Sequence, residues 1–476
     1  MKPTRRSFDI FDTLITRRHV LPQWVQHELE RRTGLVGLAE ARRQADFQLY
    51  QAGQPYGLDD IWVATAQQLG LDDHTRQHCQ QLELQLELAE LIPIQANLQQ
   101  VQDGDLLVSD MYLSVPTIEA LLTQAGLRRK VGIVISNDGK HRGHIWPALL
   151  AECNIASHLG DHPHSDVASP QSAGIPSQHY TGAKLTQTEQ WLSDQGHPSL
   201  ARWLREARLA NPYSDQPGRP ALAHLWLLAT QFNLPLLYSA SLALEAHCRQ
   251  HGITDLLFIS RDAWLWQKLH QALFPQRRCH YFLSSRACLL KPSASYIQYA
   301  QAMLHPHALL VDLAGTGTSW LQFLAEQQLT AQLFLLQQVD NYQYLQHAPP
   351  ASDRLTLHAL SRASEIGPPY SNALEQLNFA LHARVQDVVQ TPDGQWQAQL
   401  VDVLEYPEVY AQTAAQGFAA GLAALPHYPE LADPVANQAS NLIPTLLRAI
   451  NADRGLAGLY QDQRQHDASY IASLQA

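Results

Sequence analysis

The sequence predicts an α/β chain made of two doubly wound, mostly parallel sheets and a mainly helical C-terminal region. Three observations predict it. In the first half, short apolar runs end in polar or acidic residues and alternate with helical stretches. A second alternation follows, with Thr254 to Ile259, Cys279 to Leu283, His307 to Val311 and Ala331 to Leu336 as its strands. Between the two lies NPYSDQPGRP (211–220), whose density of Pro, Gly and Ser marks a boundary. At 476 residues the chain suits two or three domains with ample core.

In chain order, Phe8, Ile10 and Phe11 flank Asp9, so SFDIFDTLITR reads as a short buried strand presenting a carboxylate at its C-terminal edge. Open α/β sheets place their chemistry at that edge. An aspartate there, with Thr13 four residues on, could attack phosphorus and form an aspartyl-phosphate. Residues 18–100 are rich in Gln, Leu, Glu and Ala at helical spacing. LELQLELAEL within them also alternates like a strand, but its residue types favour helix. GDLLVSDMYLS then reads as a second strand, ending in Ser109, whose hydroxyl could bind a phosphoryl oxygen. Lys140, in VISNDGKHRG, follows a third and could neutralise charge on nucleophile and phosphate together. GDHPHSD follows a fourth and offers Asp161 and Asp166, oxygen ligands suited to Mg²⁺. His162 and His164 beside them read as solvated loop histidines.

In its order of Asp, Ser, Lys and Asp-Asp at strand ends, the first half resembles the haloacid dehalogenase (HAD) superfamily over about residues 5 to 180. The resemblance implies a HAD-like core (1–17 and 101–210), a helical cap (18–100), and an Mg²⁺-dependent phosphatase. Asp9, Asp12, Ser109 and Lys140 would be its catalytic residues, Thr13 a substrate contact, and Asp9, Asp161 and Asp166 the metal ligands. One departure stands out: the superfamily's phosphatases usually carry a second Asp two residues after the nucleophile, where this chain has Phe11. That residue serves as general acid and base, worth about 10² to 10⁴ in rate. Asp12 is the nearest carboxylate.

Composition narrows the classes. The net charge of −11 and pI of about 6.1 argue against a nucleic-acid footprint. Five cysteines without paired metal spacing fit buried thiols in a reducing compartment, and a cytoplasmic location is expected. No signal peptide is read at the N-terminus, where Asp9 and Asp12 interrupt the first apolar run. The longest apolar stretch, Ala221 to Ala246, contains His224, Gln231, Asn233 and Pro235, and is expected to form a pair of buried helices rather than a membrane span.

In the second half, LLVDLAGTGTSW runs from an acidic strand end through small residues and hydroxyls into a helix N-terminus. Backbone amides and the helix dipole make such a turn an anion cradle. Asp312 could hold sugar hydroxyls while the amides from Thr316 to Ser319 take a sugar phosphate. The stretch resembles the loop of phosphoribosyltransferases that binds 5-phosphoribosyl diphosphate (PRPP), over about residues 235 to 345. Here Val311 replaces one of that family's paired acids, and Gly315 stands where many members have another acid. The resemblance implies that Thr316, Gly317, Thr318 and Ser319 hold the 5-phosphate and Asp312 the ribose hydroxyls. Arg261 of ISRDAW and Arg286 of SSR would take the diphosphate in forked geometry, and Asp262 the acceptor's proton.

The combination resembles bacterial polysaccharide enzymes in which a phosphoribosyltransferase module (220–345 here) works with a HAD phosphatase module. It implies transfer of 5-phosphoribosyl from PRPP to a glycan or glycolipid hydroxyl, then removal of the 5-phosphate to leave ribofuranose. A peripheral contact with membrane-bound polysaccharide machinery is compatible with that reading. The alternative is a phosphosugar-binding or scaffold protein with an impaired HAD module. Residues 346–476 read as mainly helical, with a hairpin at VVQTPDGQWQAQLV; Trp396, Tyr406 and Tyr410 suit an acceptor platform or a core equally well.

Overall fold

The computed structural model describes residues 2–21, 23–214, 216, 218–340, 353–366, 373–433 and 439–459. The chain is α/β, as expected, and divides into two compact units. One comprises Met1–Gln187 with Leu209–Asp215, the other Thr188–Arg208 with Gln216–Ala476. Of the boundary segment 211–220, Asp215 and Pro217 lie outside the described residues.

The first unit contains strands β1 (Thr4–Phe8), β2 (Ile15–Arg17), β3 (Leu91–Pro93), β4 (Leu106–Asp110), β5 (Gly132–Ser136), β6 (Asn154–Gly160) and β7 (Ser177–His179). Five of them form a sheet in the order β5-β4-β1-β6-β7, parallel at every pairing. Leu106, Leu107 and Val108 are all buried, as a strand covered on both faces requires. The chain steps from β1 to β4 and β5 on one side, then returns to β6 and β7 on the other. The order therefore reverses between β1 and β6, and the crevice at such a reversal is where open sheets bind ligands.

The segment between β2 and β3 supplies four helices, α1 (Trp24–Thr33), α2 (Leu38–Ala52), α3 (Leu58–Leu69) and α4 (Asp73–Ala89). β2 and β3 themselves pair antiparallel at its base. Helix α4 resolves the LELQLELAEL ambiguity in favour of helix, capped by the Asp72 carboxylate accepting from the Thr75 amide at 2.7 Å. It buries Glu83, Leu86 and Glu87 rather than every second leucine. Glu83 accepts from Arg42 Nη2 at 2.8 Å and from Trp62 Nε1 at 2.6 Å, all three side chains being buried. Glu83→Ala strips a buried guanidinium of its carboxylate, and the variant is expected to lose about 3–5 kcal/mol. Urea unfolding followed by circular dichroism checks this, and an unmoved midpoint for this unit would contradict it.

The second unit contains β8 (Asp255–Ile259), β9 (Arg278–Phe282), β10 (Ala308–Gly315), β11 (Ala331–Gln338), β12 (Leu355–Arg362), β13 (Val385–Gln390) and β14 (Trp396–Leu400). Its parallel sheet has the order β12-β11-β10-β8-β9, with the reversal between β8 and β10. The four expected strands are present. The fifth, β12, falls in the stretch expected to be mainly helical. As an edge strand it buries little of its length, so its residues, LTLHALSR, give a weak apolar signal.

Three further expectations are corrected here. The helix Pro198–Leu209 was assigned to the first domain, yet Leu200, Trp203, Leu204 and Ala207 pack into the core of the second unit with Leu225 and Leu234. The described part of residues 346–476 does not stand apart from the second unit's core: Phe418, Leu446 and Leu447 belong to it. The expected helix pair over Ala221 to Ala246 is one helix, Pro220–His251, long and apolar enough by composition to cross a membrane but mostly buried within the protein. A π-helical turn at Ala229–Asn233 precedes Pro235, widening the helix where proline removes an amide donor. Its polar residues are satisfied, Gln231 bonding Glu189 at 2.9 Å and Asn233 bonding Asn378 at 3.0 Å.

The β13-β14 hairpin forms as read, with Gly394 at φ 84° in its turn. Tyr406 is core, stacked on Phe379 at 4.1 Å. Trp396 packs against Tyr299 at 5.4 Å.

Candidate active site

In the first unit, the sequence turns sharply after β1. Asp9 follows the strand's last residue, its amide donating to Leu159 O at 2.8 Å. Asp12 has φ 56°, a left-handed conformation that aspartate tolerates better than most residues. The buried Thr13 donates to Asp9 Oδ2 at 3.2 Å. On the other side of the reversal, Asp161 follows β6, and Asp166 sits in the π-helical turn Pro163–Ala168. A Cβ on Gly160 would collide with the Asp166 side chain, so glycine is what admits that carboxylate.

These aspartates converge. Asp9, Asp161 and Asp166 each offer an oxygen within 4.8 Å of the others. Lys140, buried, bonds both Asp9 and Asp166, the latter at 2.6 Å. Burial pushes Asp9 up to about 7 against the pull of Lys140, with Asp166 adding to the rise. Burial likewise pushes Asp161 up to about 6, with Asp12 and Asp166 contributing. Asp166 is held below the usual carboxylate range: burial acts to raise it, but bonds from His158 and the charge of Lys140 prevail. Lys140 stays charged for the reciprocal reason, Asp9 and Asp166 outweighing its desolvation.

Three carboxylates face one ammonium, so the ionised cluster carries surplus negative charge in a buried place. Burial is the main cause of the rise at Asp9 and Asp161, and that surplus adds to it. A hard divalent cation suits this all-oxygen donor set and would balance the charge.

Ser109 is buried in β4, one residue before the strand's end rather than at it. Two neighbours were missed by sequence reasoning. Asp110 accepts from the Ser136 hydroxyl at 2.5 Å, the Lys140 amide at 3.1 Å and the His141 amide at 3.0 Å, thereby shaping the loop that carries Lys140. It is the last residue of β4, and an acid closing an apolar run, like Asp9 after β1, is the signal that could have found it. His158 bonds Asp166 at 3.2 Å and Ser7 at 2.8 Å, a pairing across strands with no local signature. A cleft of about 870 Å³ in this unit is lined by Tyr56, Tyr112, Ser136, Asn137, Arg142 and His144 among others.

Phe11 lies under the Arg17 guanidinium at 4.7 Å and offers no proton. Asp12 accepts from Thr16 and stands close enough to raise Asp161 electrostatically. On the phosphatase reading that the sequence suggests, Asp12→Asn is expected to slow dephosphorylation by about 10²-fold; an unchanged rate would assign the acid elsewhere.

In the second unit, Arg261 and Asp262 follow β8, and the Ser260–Arg261 peptide is cis. Asp312 lies in β10, half-buried, accepting from its neighbour's amide, Leu313 N, at 2.8 Å. Burial pushes it up to about 8, and the charge of Asp262 adds to the rise, so the two acids share one environment at the β8-β10 reversal. Gly317 at φ 77° turns the chain into the helix Thr318–Gln327. Thr316 Oγ1 accepts from the Thr318 amide at 3.2 Å and pairs with its hydroxyl at 2.8 Å, so one amide of the expected cradle already has a partner. Ser319 is half-buried in the first turn.

No protein-family model matches the chain, and no curated protein matches it. The two arginines expected to take a diphosphate differ in state. Arg261 pairs with Glu405 at 2.7 Å and lies over Phe379 and Tyr406, while Arg286 is exposed at the start of the helix Arg286–Leu290. Among the described residues the two share no partner.

Proposed function

We propose that the chain transfers 5-phosphoribosyl from PRPP to a glycan hydroxyl in its second unit and removes the 5-phosphate in its first. The observation that carries this reading is the pair of differently equipped strand-order reversals. One gathers Asp9, Lys140, Asp161 and Asp166 into a buried acidic cluster. The other sets Asp312 and Asp262 beside a Gly-Thr turn that opens a helix.

In the first unit, Asp9 would attack the 5-phosphate while Lys140 neutralises charge on both partners. Ser109 and Thr13 would bind phosphoryl oxygens, and Asp12 would protonate the departing ribose alkoxide. Mg²⁺ held by Asp9, Asp161 and Asp166 would stabilise the charge of the transferred phosphoryl group. The cleft beside Tyr56 and Tyr112, which none of these residues lines, would take the glycan end. In the second unit, Thr316 to Ser319 would hold the 5-phosphate, Asp312 the hydroxyls, and Arg261 and Arg286 the diphosphate. Asp262 would accept the acceptor's proton. Arg261 must exchange Glu405 for diphosphate, and that internal ion pair favours the scaffold reading.

Incubation with PRPP, Mg²⁺ and glycolipid acceptors, followed by mass analysis, separates the two. The enzyme adds a phosphoribosyl mass and then loses phosphate, whereas a scaffold gives no PRPP-dependent gain on any acceptor.

A further inference from the structure

A buried histidine stands behind the carboxylate cluster of the first unit and has no role in either proposed reaction. Ser7 and His158 are register partners in the parallel pair β1-β6, so their side chains project from the same face of the sheet. Gly160, two residues past His158, shares that face, and the Asp166 side chain occupies the place its Cβ would take. The His158 ring therefore lies between Ser7 and Asp166, with Nδ1 2.8 Å from Ser7 Oγ and Nε2 3.2 Å from Asp166 Oδ1. All three side chains are buried, and the Trp146 ring packs against the imidazole with its centre 4.9 Å away.

These contacts fix where the ring's proton sits. Asp166 also takes the Lys140 ammonium at 2.6 Å on Oδ1 and the His162 amide at 2.9 Å on Oδ2, and an ionised carboxylate only accepts. Nε2 must then carry a proton. A second proton on Nδ1 would set another buried cation beside Lys140, which desolvation opposes. Nδ1 is thus an acceptor, and the Ser7 hydroxyl is the donor that faces it. The hydroxyl's other neighbour, Ser157 O, is farther away at 3.2 Å.

We infer that His158, held by Ser7 in its Nε2–H tautomer, is a positioning residue for the divalent cation of this cluster. It fixes the orientation in which Asp166 offers an oxygen beside those of Asp9 and Asp161. Outer hydrogen bonds of this kind orient ligating carboxylates and set metal affinity. Lys140 divides its ammonium between Asp9 and Asp166, whereas the imidazole, fixed from behind by Ser7, holds Asp166 to one angle. The inference rests on the cation that the proposed phosphatase places here, but not on phosphate release.

The test reads the proton and the metal rather than activity. In the metal-free full chain, nitrogen NMR of histidine-labelled protein, assigned by the signal lost in His158→Gln, is expected to show His158 as the neutral Nε2–H tautomer. An Nδ1–H tautomer or an imidazolium overturns the proposal. Mn²⁺, which shares the preference of Mg²⁺ for oxygen ligands, is then titrated and its free fraction read by electron paramagnetic resonance. Asp161→Asn marks which uptake belongs to the cluster. His158→Leu is expected to weaken that uptake by about 10–100-fold, while His158→Gln, whose amide can still donate to Asp166, keeps most of it. Ser7→Ala is expected to leave the ring in mixed tautomers and to weaken uptake less. No cluster uptake by the wild type, or equal uptake by His158→Leu, overturns the proposal. Phosphate release is assayed separately, so the phosphatase reading can fail while uptake that depends on His158 upholds this inference.

Discussion

Asp9→Asn is expected to stop phosphate release from a 5-phosphoribosylated glycan while transfer from PRPP continues. The substitution removes the attacking charge, and loss of a nucleophile costs about 10⁴-fold or more. It should not unfold the unit, because Lys140 retains Asp166 as partner at 2.6 Å and Asp166 retains His158. Release is measured as inorganic phosphate from a purified phosphoribosyl glycan, so the second unit is not needed for the readout. Release at the wild-type rate would remove Asp9 from the nucleophile's role.

Asp312→Asn is expected to abolish transfer while leaving hydrolysis of a separately supplied 5-phosphoribosyl glycan unchanged, since the two candidate sites lie in different units. Stability supplies an internal control. Asp312 keeps its proton in the folded chain up to about pH 8, whereas an unfolded aspartate ionises near pH 4. Its folded value is raised, so its contribution to stability is fully present below about pH 4 and is lost as pH rises toward 8. Asparagine resembles the protonated acid. The variant should therefore be at least as stable as the wild type above pH 8 in urea unfolding, and loss of transfer there reflects chemistry rather than folding. Normal transfer by the variant would return the second unit to an α/β domain without an assigned reaction.

Local sequence carries information where a strand ends in a group that water or a ligand must meet. The apolar runs before Asp9, Asp110 and Asp262 are legible because both faces of a parallel strand are buried. Strand β12 was not legible, because an edge strand needs apolar residues on little of its surface. The helix Pro198–Leu209 has an apolar face that any core would accept. Only packing assigned it to the second unit, where Trp203 Nε1 donates to Gly421 O at 2.7 Å.

The sequence by itself determined the two α/β alternations, the helical insertion over 18–100, and most of the acids and hydroxyls at strand ends. It did so because burial periodicity and turn chemistry are local properties. Tertiary structure decided which of those ends share a crevice, since strand order is set by crossovers that no short segment encodes. It also decided the charge states, Asp9 and Asp312 rising through burial while Asp166 falls through His158 and Lys140 against that burial, and it brought His158 to the site by its pairing with Ser7.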